Sequence, residues 1–269
     1  MDSSSDDETA DLARKGGAEV IVIERKDFDH GGTRNFAAQQ VAEDCEIAVF
    51  MTQDAILAAP ESLAALIAPF EDPTVFSTFG RQLPRRGAGE IEAFARGFNY
   101  PDKSYHRTMQ DVAEYGFKAC FCSNSFAAYR ISDLLEVGSF PQTILSEDAL
   151  AVANMLKAGG AHVYVADATV HHSHDYTLSQ EFRRYFDIGV MHTQNWPILK
   201  DFGTLGGTGR QFVLKELAHL ARTRPWLVPA AILRTFLKFF AYKLGSHEKS
   251  LSLSWKRRLS MHKRYWKDV

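Results

Sequence analysis

Apolar residues along this chain fall into two rhythms. Short runs with little polar interruption, at 19–23, 47–51, 74–79, 119–121 and 162–165, predict buried strands. Between them, apolar positions three and four apart predict helices at 5–16, 60–70, 90–98 and 147–158, with another starting near Thr33. The first helix would use Ser5 as N-cap, Asp6, Asp7 and Glu8 in its first turn and Gly16 with Gly17 as its stop. Alternating strands and helices predict an α/β sandwich with a mostly parallel sheet. In such sheets ligands bind beyond the carboxyl ends of the strands. After Gln180 the pattern turns helical, and the glycine-rich stretch 203–209 reads as a linker. The expected organisation is a catalytic domain over 1–202, the linker, and a helical extension over 210–269.

Composition adds three points. With 269 residues, 45% of them hydrophobic, the chain can bury one large core. The acidic, polar start lacks the basic and apolar regions of a signal peptide, and three cysteines suit free thiols in a reducing, cytoplasmic setting. Charge is divided unevenly: residues 210–269 hold 14 Lys and Arg against 3 Asp and Glu, so this stretch is +11 within a chain of net −2. The extension and the body therefore face different partners.

Polar clusters at 27–35, 52–54 and 171–175 follow strands, where the α/β rule places ligands, and two more open or lie on helices. Asp54 follows an apolar strand, where a carboxylate needs a compensating cation; a divalent ion would serve, and so would a role as a turn or helix cap. His171, His172 and His174 could supply one or two imidazole ligands, or simply hydrogen-bond on the surface. Glu147 and Asp148 open a helix after Ser146, where a carboxylate can act as a general base or merely cap the helix. Gln180 to Tyr185 combine Arg183 and Arg184 with aromatics; they could grip a diphosphate or form a solvated face.

Taken in order, these strings resemble the inverting family 2 glycosyltransferases of GT-A fold, in their bacterial rhamnosyltransferase branch. The resemblance rests on Asp-Ser-Ser-Ser-Asp-Asp-Glu-Thr (2–9), Phe-Asp-His-Gly-Gly-Thr-Arg-Asn (28–35), Met-Thr-Gln-Asp-Ala (51–55), Gly-Arg-Gln-Leu-Pro (80–84), Phe-Asn-Tyr-Pro (98–101), Ser-Asn-Ser (123–125), Ser-Glu-Asp (146–148), Val-His-His-Ser-His-Asp-Tyr (170–176) and Gln-Glu-Phe-Arg-Arg-Tyr-Phe-Asp (180–187). It implies that Asp2, Arg34, Asn35, Gln53 and Arg81 hold the nucleotide-sugar donor. Asp54 and His172 would bind Mg2+ or Mn2+, and Asp148 would be the catalytic base. Asn124, Glu147, Gln180, Arg183 and Arg184 would position acceptor or phosphates. In this family the Asp2 motif follows a first strand and helix, so the chain reads as truncated at its amino end.

The resemblance further implies dTDP-rhamnose as donor, a lipid-linked or polymeric saccharide of surface polysaccharide such as O-antigen as acceptor, and no nucleic-acid partner. A transferase of another sugar, such as galactofuranose, or a non-catalytic nucleotide-sugar-binding fragment would keep much of the same pattern. Residues 225–244 are apolar enough to consider as a membrane span, but Arg234, Lys238 and Pro229 oppose it. The expectation is an interfacial helix at an anionic membrane, with Arg234 and Lys238 on its polar face and Leu233, Phe236, Leu237 and Phe240 on or beside the other; the same apolar face would equally serve to pack the helix on the catalytic domain.

Overall fold

A computed structural model describes residues 1–203 and 206–267. Helices α1 (Thr9–Lys15) and α2 (His30–Gln40) precede strands β1 (Ile47–Met51) and β2 (Ile56–Leu57). Then come α3 (Ser62–Ile67), β3 (Val75–Leu83), α4 (Glu90–Asn99), β4 (Tyr105–Arg107), the single turn α5 (Val112–Tyr115) and β5 (Phe126–Arg130). After α6 (Ile131–Glu136), α7 (Glu147–Lys157) and β6 (Ala161–His171) the chain is helical: α8 (Leu178–Gln194), α9 (Trp196–Leu199), α10 (Gly206–Thr223), α11 (Val228–Ser246) and α12 (Leu253–Leu259).

The sheet runs β1-β5-β3-β6-β2, with β4 also pairing β6. Its two faces can be read from β5, where alternate side chains serve different cores. Ala127 and Tyr129 join the larger core, which includes Leu150 and Met155 of α7. Phe126 and Ala128 join a smaller one with Leu66 of α3. The α/β sandwich is as expected, but the sheet is mixed: among the six described strands only β3 with β6 is a parallel pair, and β1, β2, β4 and β5 pair antiparallel. Alternation fixes the layers and leaves strand direction open, because a connection without a crossover helix, such as the turn 52–55 from β1 to β2, returns the chain in the opposite direction.

Three local expectations are corrected. The run 19–23 forms only a single bridge, Val22 to Asp2, and 119–121 ends a 3-10 turn ahead of the true strand β5. The first helix is shorter, with Glu8 rather than Ser5 at its N-cap, because Ser5 is engaged by the Asp2 carboxylate. In the segment expected as a linker, residues 204–205 lie outside the described residues, and Gly206 to Gly209 open α10.

The C-terminal helices pack closely on the body. Two glycines make this possible: a Cβ on Gly189 of α8 would stand 2.2 Å from the Tyr242 carbonyl oxygen, and one on Gly245 of α11 would stand 2.0 Å from that of Phe186. The orientation of α11 also differs from the sequence expectation. Arg234 and Lys238 face inward, 2.8 and 3.2 Å from the Glu181 carboxylate of α8. Counter-charges on another helix outweigh the usual placing of cations in water. Among the described residues no helix is long and apolar enough to cross a membrane.

Candidate active site

Pairing of β2 with the end of β6 sets the turn at 52–55 against residues 171–174. There Asp54, His172 and His174 point one donor atom each into a space within which all three lie no more than 4.8 Å apart. His172 Nε2 is 3.4 Å from Asp54 Oδ1, and His174 Nε2 is 3.8 Å from Asp54 Oδ2. The His172 backbone N–H donates to the Leu83 carbonyl, Ser173 Oγ accepts from the Arg85 N–H, and the His174 N–H donates to Glu92. These bonds tie the segment after β6 to the end of β3 and to α4. Arg85 Nη2 lies 3.2 Å from Asp54 Oδ2 and closes the outer side.

Gln82 sets the chemistry of His172. Its Oε1 faces His172 Nδ1 at 3.0 Å and also accepts from Arg96. A guanidinium only donates, so the Gln82 atom against it is the oxygen, and His172 Nδ1 must carry the proton. That leaves the Nε2 lone pair aimed at an Asp54 oxygen. Burial lowers the His172 pKa to about 4, although Asp54 opposes the shift, so the imidazole is neutral near pH 7. Burial would raise the Asp54 pKa, but the Thr52 hydroxyl, His172, His174 and Arg85 outweigh it and hold the carboxyl below its usual range. Two lone pairs at 3.4 Å without a proton between them repel. A divalent cation shared by Asp54, His172 and His174 resolves this, and oxygen with imidazole donors suits Mn2+ or Mg2+. The donor set fits the expected ion.

The second cluster surrounds the start of α7. Ser146, just before it, has a left-handed backbone at φ 62°, a conformation disfavoured for a side chain with a Cβ. Asp148 Oδ2 accepts from the Asn124 N–H at 2.9 Å and Oδ1 from the Ala149 N–H at 2.8 Å. Burial first, and the neighbouring Glu147 charge second, push the Asp148 pKa up to about 6 despite these bonds. Glu147 forms a buried ion pair with Arg34 of α2. The clusters are joined, since Gln82 Nε2 donates to Ser123 Oγ at 2.8 Å and the next residue, Asn124, holds Asp148.

The other expected residues divide between the site and the scaffold. Asn124 is buried; its Oδ1 accepts from Tyr129, and its Nδ2 has no partner among the described residues. Arg184 lies 5.8 Å over the Tyr176 ring and is close enough to His174 and His30 to lower their proton affinity. Arg183 shares the first turns of α8 and is half-buried. Gln180 uses its side-chain oxygen in a capping box with Thr177. Asn35 spends both ends of its amide on the Phe140 backbone, so it joins α2 to the loop before α7. Gln53 is exposed beside Asp54, and Arg81 keeps a buried Nε without a partner among the described residues. Asp2 is committed to Ser5 and lies with Val22, outside both clusters.

Sequence reasoning passed over Gln82, Ser123, Arg85 and Arg96, and it did not select His174 as a ligand. Gln82 lies inside the string 80–84, and strand alternation could have distinguished it from Arg81. Nothing local in the sequence marks Ser123 or Arg96, whose roles depend on contacts between distant segments.

The chain is 45% identical over its whole length to the O-antigen chain rhamnosyltransferase RfbN of Salmonella typhimurium, covering 86% of that protein. It is also 45% identical to the O-antigen chain rhamnosyltransferase WbaN of Salmonella anatum, covering 85%. No protein-family model matches it. Among solved structures, the mannosyltransferase PcManGT from Pyrobaculum calidifontis, in complex with GDP-Man and Mn2+, matches with a TM-score of 0.53 and 18% identity, over 98% of this chain and 74% of that one. This last likeness concerns the fold.

Proposed function

Because the chain belongs to the family of O-antigen chain rhamnosyltransferases, we propose that its site moves a rhamnosyl group from dTDP-rhamnose to a hydroxyl of a lipid-linked or polymeric saccharide, with inversion at the anomeric carbon. The fold is that of the GT-A glycosyltransferases. Catalysis is assigned to residues 1–202, with 210–269 as a basic helical extension that contacts an anionic membrane from the cytoplasmic side.

The observation that carries this reading is the unprotonated His172 Nε2 facing Asp54, with His174 completing the donor set. Asp54, His172 and His174 would hold Mg2+ or Mn2+. When bound, such an ion neutralises charge on the departing nucleoside diphosphate. Asp148, with its raised proton affinity, takes the proton from the acceptor hydroxyl as that oxygen bonds to the anomeric carbon. The bond from that carbon to the diphosphate breaks in the same displacement. Arg34, kept in place by Glu147, and Arg183 with Arg184 offer guanidinium donors to the diphosphate. The free Asn124 Nδ2 offers a donor beside the base, while Gln53, Arg81 and Asp2 are assigned to the nucleotide side.

A screen of nucleotide sugars for donor turnover tests the proposal. Turnover of dTDP-rhamnose with Mn2+, abolished by EDTA and by Asp54→Ala, is the expected result. Preferential use of another donor would overturn the sugar assignment, and undiminished turnover in EDTA the metal assignment.

A further inference from the structure

Helix α11 is built the opposite way round from an ordinary surface helix. Its inward face carries Ala231, Ala241 and Gly245 together with Arg234 and Lys238, which pair with Glu181 of α8. Its outward face carries Ile232, Leu233, Phe236, Phe239 and Phe240. At successive steps of three and four, these side chains form one stripe. Each is 48% to 64% exposed, and Trp226, in the turn that leads into the helix, is 66% exposed. An amphipathic helix on a water-facing surface turns such a stripe inward. A continuous aromatic and aliphatic stripe facing outward marks an interaction surface.

Charge identifies the occupant. Exposed Lys243 continues the stripe by one turn, 5.9 Å from the Phe239 ring centre, and Arg224 lies 5.6 Å from the Trp226 ring centre at the other end. The acidic residues described within 210–267, Glu216 and Glu248, are buried, and although Glu90 of α4 approaches Arg224 at 3.9 Å, both Lys243 and Arg224 stay exposed beside the apolar stripe. Two copies placed face to face would bring like charges together. An apolar stripe rimmed by lysine and arginine, on a helix that cannot span a bilayer, matches a surface that is apolar beneath and anionic at its headgroups. On the opposite side Arg234 also donates to the Tyr176 carbonyl, two residues from His174, so this face lies one helix layer from the active site.

We propose that the outward face of α11 seats in the interface of an anionic lipid bilayer, with Phe236, Phe239 and Phe240 entering the acyl boundary and Lys243 and Arg224 at the phosphates. The assignment rests on the membrane reading given above and specifies the surface that performs it. The test is flotation of the full chain with vesicles of phosphatidylcholine alone or mixed with phosphatidylglycerol. Phe236→Ser/Phe239→Ser/Phe240→Ser and Lys243→Glu are compared with the parent, each checked for an unchanged cooperative melt. The parent should float only with the phosphatidylglycerol vesicles and be released by about 0.5 M salt. The triple variant should lose at least about 10-fold in partitioning, and Lys243→Glu at least about 5-fold. If the triple variant does not fold, Lys243→Glu and Phe236→Ser alone carry the comparison. Equal flotation of parent and variants would overturn the assignment of this face while leaving membrane contact intact. A parent that never floats would overturn both; should it also form a dimer that the triple variant loses, the occupant is a second copy. Donor turnover is read separately, so the catalytic reading stands or falls without these results.

Discussion

Gln82 Oε1 stands 3.0 Å from Nδ1 of His172 while accepting from Arg96, and so pins the imidazole proton on the side away from Asp54. A histidine that donates through one nitrogen is oriented to bind a cation through the other. Replacing Gln82 by Leu should weaken Mn2+ affinity about 10- to 100-fold, whereas Glu, which still accepts from both neighbours, should retain most of it. Titration calorimetry with Mn2+ in the presence of dTDP reads this directly. Equal affinity for Gln82→Leu and the parent would mean that the amide is only packing.

The ligands themselves should behave as a set. Asp54→Ala, His172→Ala and His174→Ala should each reduce Mn2+-dependent dTDP binding, while binding in EDTA stays weak and similar to that of the parent. The carboxylate should matter most, because it alone supplies formal charge. A His174→Ala variant with parental Mn2+ affinity would restrict the site to Asp54 and His172.

Asp148 should be indispensable to chemistry and dispensable to binding. Asp148→Asn retains the shape and removes the proton acceptor, so transfer should fall about 10²- to 10⁴-fold with dTDP affinity little changed. Glu147 adjoins it but is paired with Arg34, so Glu147→Gln should act mainly on donor affinity. Single-turnover rates beside equilibrium binding separate the two effects.

Proton affinity at Asp148 gives two pH signatures. Transfer should decline as pH falls through about 6, where the carboxylate takes up a proton, and Asp148→Asn should lack this limb. Stability should move the other way. Because the folded-state pKa lies above the ordinary 3.8, the contribution of Asp148 to stability is present below about pH 4 and is lost as pH rises through about 6. Relative to Asp148→Asn, the parent should therefore lose ~2–3 kcal/mol of stability between pH 4 and pH 8. Urea unfolding at the two pH values measures this.

Much of the architecture and part of the site can be read along the chain because they depend on local pattern. The helix at Glu90, the helix at Glu147 and the strand at Ile47 follow from periodicity and end signals. Asp54 and His172 stand out because a polar residue directly after an apolar strand needs a reason. What was hidden depends on pairs of distant segments. The apolar run 119–121 follows the end of a 3-10 turn and packs against sheet residues such as Phe79 of β3 without joining the pleat, so its composition imitates a strand. Arg234 and Lys238 look like a solvent-facing stripe until α8 supplies Glu181, 53 and 57 positions away. Gln82 gains its meaning from His172 and Arg96, which the sequence separates by 90 and 14 positions.

The inward face of α11 makes the extension part of the folding unit, which a deletion would show. Removing residues from 225 onward takes away Ala231, Ala241 and Gly245, against which α8 lies close enough that a Cβ on Gly189 would meet the Tyr242 carbonyl. Phe186 and Val190 of α8, both fully buried in the intact chain, would lose neighbours. Glu181 would lose both cations, although removing α11 also returns its carboxylate to water. Exposure of several large apolar side chains, about 1.5–3 kcal/mol each, is comparable to the whole stability of many domains, about 5–15 kcal/mol. The shortened chain should therefore lack a cooperative melt. Glu181→Ala in the full chain isolates the charge contribution and should lower stability by a few kcal/mol, measured in urea. A shortened chain that unfolds cooperatively at the parent's midpoint would show that the extension docks on a core already complete without it.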